Sequence, residues 1–169
     1  MKHLNFLFIL SFLIFHNSVI GQPSSTLYSY TNDNFSIRFE SDPNVSATNS
    51  KSTYSVTSLR DTVIYRIIVD TDVDFTVDTV KKVVVIRDFL NEWVSYLDSL
   101  GMPHEKVPFR GTNAVISRGE MVAMGFMVNL KTIAFMKFNR FYTISVVGFE
   151  ESLEGDFQAF IENFQFLRN

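Results

Sequence analysis

No cysteine occurs in the 169 residues. That excludes disulfides, a thiol nucleophile, a thiolate metal site and a lipid-anchored cysteine behind the N-terminal apolar run. Histidine is nearly as scarce: His3, His16 and His104 are the full set, and the first two fall in a segment expected to be removed. One remaining histidine is too few for a histidine metal cluster. Charge of either sign is modest, with 15 Lys and Arg against 18 Asp and Glu. This mild acidity argues against nucleic acid, whose binding needs clustered cations, and against an electrostatic grip on anionic membranes. The longest apolar run, Leu4 to Phe15, is shorter than the roughly 20 residues a spanning helix requires. No later stretch is long enough either, so no transmembrane segment is expected after signal cleavage. No G-x-S-x-G elbow and no internal repeat occur.

What the N-terminus does contain is the layout of an export signal. Lys2 and His3 start it, Leu4–Phe15 forms the apolar stretch, and His16-Asn17-Ser18 restores polarity before Gly21. Cleavage near Gly21 places the protein outside the cytoplasm, in the periplasm or external medium, without a lipid anchor. An exported chain of this size without cysteine fits a bacterial envelope better than a eukaryotic secreted module. The expected organisation is residues 1–21 as signal peptide, 22–34 as a polar linker and 35–169 as one domain. A domain of that length buries enough surface to hold together without staples.

Along the domain, Phe35–Glu40 alternates apolar and polar residues as a half-buried strand does, and Ser41–Ser52 reads as a loop. Asn34-Phe-Ser36 and Asn44-Val-Ser46 match a glycosylation pattern that is frequent by chance. Thr53–Leu59 and Val63–Asp70 are the next strands. Val77–Leu100 is one long helix: Val83, Ile86, Leu90, Trp93, Leu97 and Leu100 recur at spacings of three and four, with Phe89 widening the stripe. Gly101 caps it and Pro103 stops it. Lys106–Arg118 reads as a strand broken at Gly111. Met121–Leu130, Ile133–Phe138 and Phe141–Phe149 follow as strands, with a hairpin corner at Asn139-Arg140. These last strands are apolar on both faces, so their sheet must be covered twice. Phe157, Phe160, Ile161 and Phe164 mark a short closing helix. The expected fold class is α+β: a largely antiparallel sheet of about six or seven strands with helices on its faces.

Three blocks resemble a known family. Phe35-Ser-Ile-Arg-Phe-Glu with Pro43 is similar to the opening strand and proline of the PsbP-like α/β/α sandwich, a fold named for an extrinsic photosystem subunit. Asn139-Arg-Phe-Tyr-Thr-Ile-Ser-Val-Val-Gly148 resembles its central hairpin strand, and Phe157–Leu167 its closing helix and final short strand. The resemblance implies an exported bacterial protein with a binding or assembly role, as photosystem subunits and a nuclear import factor of this fold have. It brings no functional residue to any position here.

Asp70, Asp72 and Asp74 would project from one face of an extended segment and suit Ca²⁺, but Phe75 and Lys81 stand where an EF-hand needs Gly and Glu. A solvated strand end is the simpler reading, and no metal or cofactor is expected. His104 follows Pro103 in a loop, where a general base would need a positioned partner and a nucleophile and a surface residue is the simpler reading. Glu105, Glu120, Glu150, Glu151 and Glu154 could in principle supply an acid pair, but lie in loops of a domain too small for a sugar cleft. Lys131, Lys137 and Arg140 could meet an acidic partner or merely keep a hairpin soluble. Met121, Met124 and Met127 with Phe126 form either core or an adaptable binding surface. With no catalytic set, the expectation is a non-catalytic module binding an unknown envelope protein. A small molecule or lipid is the alternative, and a hydrolase ranks third.

Overall fold

The computed structural model describes residues 25–48, 50–58, 63–71, 79–123, 125–149 and 153–167. Five strands come first: β1 (Thr26–Tyr30), β2 (Phe35–Phe39), β3 (Asn44–Ala47), β4 (Lys51–Ser58) and β5 (Val63–Asp70). Helix α1 (Thr79–Ser99) leads to β6 (His104–Phe109), β7 (Thr112–Ala123), β8 (Phe126–Lys137) and β9 (Arg140–Gly148). Helix α2 (Glu154–Asn163) and β10 (Gln165–Phe166) close the chain. A seven-stranded sheet runs β3-β4-β5-β9-β8-β7-β6, and a three-stranded sheet runs β1-β2-β10. All pairings are antiparallel. The fold is thus α+β and sheet-rich, with few helices.

Register explains the layering. In a strand, neighbouring side chains point to opposite faces. On the large sheet, Ala134, Met136 and Phe141 share one face and meet Phe89 and Trp93 of α1, while Val115 meets Leu90 and Leu97. The alternate residues Ile133, Phe135, Tyr142, Ile144 and Val146 face the other way. They pack on Phe157, Phe160 and Ile161 of α2 and on Phe35, Ile37 and Phe39 of the small sheet. Both faces are apolar because both are covered, as the sequence pattern required. Past the end of helix α1, Gly101 turns the chain with a φ of +65° that suits glycine, and Met102 N–H returns to Leu97 O at 3.0 Å. Met102 then crosses β7 at Gly119, where a Cβ would stand 2.7 Å from its Cε.

A buried polar clasp ties the small sheet to the large one. Asp33 lies in the turn between β1 and β2 and is 5% exposed. Its carboxylate accepts a hydrogen bond from Tyr54, and its backbone carbonyl accepts one from Tyr142 at 2.9 Å. Arg140 Nη2 donates to Asn32 O at 2.6 Å, and its Nε lies 3.9 Å from Asp33 Oδ1. These partners answer the cost of burying a carboxylate. A second tie comes from the β6–β7 turn: Arg110 Nη2 donates to Ile161 O and Glu162 O, each at 3.0 Å. A cation there satisfies the free carbonyls at the end of α2.

Several expectations are corrected. The segment 22–34 is more than a linker: Thr26–Tyr30 pairs with β2, and the turn that follows holds the buried Asp33. The loop expected over Ser41–Ser52 contains β3, which is exposed at every residue and so shows no apolar alternation. The break at Gly111 separates two antiparallel strands, turning through Arg110 (φ +46°) and Gly111 (φ +75°). The strand expected over Met121–Leu130 reverses at Gly125 (φ +83°), so Met121 lies opposite Val128. The later corner sits one residue earlier than expected, on Phe138 and Asn139, both at positive φ. Leu100, assigned to the helix stripe, lies past its end and is exposed. Val83 and Ile86 have side chains outside the described set.

Arg110→Ala is expected to lower unfolding free energy by about 1 kcal/mol, read by chemical denaturation, because two carbonyls at the end of α2 lose their donor. Burial raises the pKa of Tyr54 and Tyr142 above the ordinary phenol range, and pushes Tyr30 up to about 12. The neutral phenols therefore favour the folded state fully below about pH 10, the unfolded value, and this contribution fades as pH rises through the folded values. Denaturation midpoints should fall above about pH 10, and phenolate absorbance from these three rings should appear later than in the unfolded chain.

Candidate functional site

Strands β7 and β8 outrun their neighbour. Strand β9 pairs with β8 only as far as Asn129 opposite Gly148. Beyond that point, among the described residues, β7 and β8 pair only with each other, through Met121–Val128, Val122–Met127 and Ala123–Phe126. The result is a two-stranded finger turning at Gly125. From Met121 to Val128 it carries no charged residue. Met121 is 38% exposed, Val122 66%, Phe126 63% and Met127 58%. Phe149, just past β9, is 54% exposed and meets Phe126 edge to face at 6.1 Å. Alternation puts Val122 and Met127 on one face and Met121, Phe126 and Phe149 on the other.

Met121, Phe126 and Met127 are therefore surface, not core, which decides between the two readings of that stripe. Met124 lies outside the described residues. Large apolar side chains scattered singly are ordinary; here four gather on one projection with Phe149 beside them. At its base stand charges of both signs. Arg118 lies opposite Lys131, and Glu120 opposite Asn129. Lys131 donates to Glu154 and sits 4.9 Å from the Phe157 ring centroid. The Lys131 hydrogen bond holds the Glu154 carboxyl below the usual carboxylate range.

The other candidates are placed as follows. His104 Nδ1 lies 3.1 Å from Met102 O, and Nε2 lies 3.8 Å from Asp98 Oδ1. Its cross-strand partner Ser117 is buried. Asp70 ends β5 opposite Phe141 and Lys51, while Asp72 and Asp74 lie outside the described residues. Among the described residues no three His, Asp or Glu gather closely enough for a metal ion. Glu105 and Glu120 are exposed on separate strands, and Glu150 and Glu151 are not described. Lys137 donates to Arg110 O and Gly111 O and lies 5.6 Å from the Phe138 and Phe166 ring centroids. Lys137 and Arg140 thus serve turns and the clasp. Asn34 is buried, unlike Asn44.

Sequence reasoning missed one groove, because its walls come from distant segments. It holds about 330 Å³ between β2, β4, β5 and α2, floored by Phe39, Val56 and Phe160 and rimmed by Arg38, Glu40 and Asp156. Tyr65 donates to Asp156 Oδ1 at 3.1 Å there. A second, more polar cleft of about 410 Å³ lies at the finger's base, between Arg118, Glu120, Lys131 and Glu154. No described helix is long and apolar enough to cross a membrane.

Phe126→Asp and Met127→Asp should each change unfolding free energy by no more than about 0.5 kcal/mol, because both side chains already face water. Phe135→Ala, in the core, should cost about 3–5 kcal/mol in the same denaturation assay.

No family model matches the chain, and no curated protein matches it. Solved structures do. The chain is similar to a protein of Bacteroides thetaiotaomicron at 15% identity and a TM-score of 0.50, over 80% of this chain but only 46% of that one. It is also similar to cyanobacterial PsbP from Synechocystis at 10% identity and a TM-score of 0.55, over 87% of this chain and 95% of that one. At these identities the likeness concerns the fold alone, and that fold is PsbP-like.

Proposed function

We propose that this is an exported, non-catalytic binding or assembly module of the bacterial cell envelope that docks through the β7–β8 finger. The observation that carries the reading is the contiguous apolar exposure of Met121, Val122, Phe126, Met127 and Phe149 on one projection. A folded chain leaves such a cluster in water at a cost in solubility unless something covers it. Residues 1–21 supply the export signal in this reading, and the two-layered core supplies a rigid mount. The protein acts by holding a position, so it needs no nucleophile and no metal.

A second reading rests on the groove beside α2. Its volume is at the lower end for small-molecule sites, with an apolar floor and a few rim groups able to fix orientation. A ligand mass of a few hundred daltons in native mass spectrometry, lost on filling the groove with Ala159→Trp, would favour this second reading.

The docking reading is tested by fractionating host cells that express the protein or its Phe126→Asp/Met127→Asp variant. The unchanged protein should sediment with the envelope, and the variant should move to the soluble exported fraction while remaining folded. Equal distribution of the two would overturn it.

A further inference from the structure

We propose that the finger's occupant is the interface of a neutral, zwitterionic lipid bilayer; this rests on the docking reading and names the partner class of the same site. The first argument is geometric. A partner surface that meets one face of a β-ribbon leaves the other face wet, and a ribbon built for it alternates apolar and polar residues. This finger does not alternate: Val122 and Met127 on one face and Phe126 on the other are more than half exposed, while nearer the base Met121 is 38% exposed and its partner Val128 is buried. A projection with apolar side chains on both faces matches a medium that is apolar on every side.

The second argument is charge complementarity. No charged side chain occurs between Glu120 and Lys131, so nothing in the projecting part must be carried out of water as an ion. Directly below stand Arg118, Glu120 and the Lys131–Glu154 pair, cations and anions side by side at the level where headgroups would lie. A zwitterionic headgroup presents both signs as well. The chain as a whole carries a formal charge of −3, which opposes approach to an anionic surface.

The third argument is reach. From the Glu120–Asn129 pair to Gly125 the finger advances four to five residues, about 13–17 Å at roughly 3.3 Å each. That suffices for the about 5–10 Å burial typical of interfacial anchors, and falls well short of the roughly 30 Å hydrocarbon core. Shallow burial is also what the backbone permits. The outward N–H and C=O groups of a two-stranded ribbon lack strand partners, and water at the headgroup boundary can still satisfy them. The finger would sit in one leaflet, and the rest of the domain would stay outside.

Flotation with phosphatidylcholine vesicles tests this. The purified protein should float with the vesicles, and Phe126→Asp/Met127→Asp should weaken partitioning roughly tenfold or more. In a Phe126→Trp variant, fluorescence should shift to the blue on adding vesicles and be quenched by lipids brominated on their acyl chains. Absence of flotation, or flotation only with anionic vesicles and reversed by salt, would overturn the proposal. Failure to float, combined with finger-dependent sedimentation in host fractionation, would reject lipid and leave a protein partner for the same finger. Loss of both behaviours would reject the docking reading as well. Concentration-dependent self-association abolished by the double variant, without vesicle binding, would identify a second copy of the chain as occupant and likewise overturn it.

Discussion

Everything in this molecule follows from a sheet that is apolar on both faces. Ile133, Phe135, Tyr142 and Ile144 alternate along β8 and β9 with Ala134, Met136 and Phe141, and neither set can be left in water. Two covers are therefore obligatory. Helix α1 supplies one, through Phe89, Leu90, Trp93 and Leu97. Helix α2 and the small sheet supply the other, held in place by Asp33 and Arg110. Where the covers end, the pattern does not: β7 and β8 carry it three pairs further, past the edge of β9. The finger is the two-faced sheet continued beyond its layers.

Much of the scaffold could be read from residue order because it rests on local periodicity. The β-branched run delimits β5, and apolar spacing locates α1 and α2, although Leu100 and Phe164 lie just past the ends of their helices. What escaped has common physical causes. Strands β1 and β3 are sheet-edge strands with mostly exposed side chains, so they lack the alternation that marks a half-buried strand. The turn at Gly125 was hidden because apolar residues flank it on both sides, and only the glycine's freedom at positive φ separates one long strand from two paired ones. That single reversal changes which residues share a face. It converts an apparent core stripe into an exposed ribbon.

The candidate site was legible as residues and illegible as geometry. Met121, Phe126 and Met127 stood out by type, yet apolar stripes usually face inward, and nothing local shows that β9 stops at Gly148 while β8 continues. The groove beside α2 had no signal at all, since Arg38, Val56 and Asp156 meet only in the folded chain. The shared fold does not close that gap. A PsbP-like framework at 10% identity fixes where layers lie and leaves open which edge or projection is put to use.

The strand order also sets a schedule. Asp70 of β5 pairs with Phe141 of β9, 141 − 70 = 71 residues later, so the two halves of the large sheet cannot join until that much more chain exists. At about 5–20 residues per second of synthesis, β3, β4 and β5 wait for some 4–14 seconds as a meander with one apolar face uncovered. Its long-range closures place the domain among slow folders, where non-local pairing must precede its reward. The same wait makes the half-made sheet a natural client for a holding chaperone.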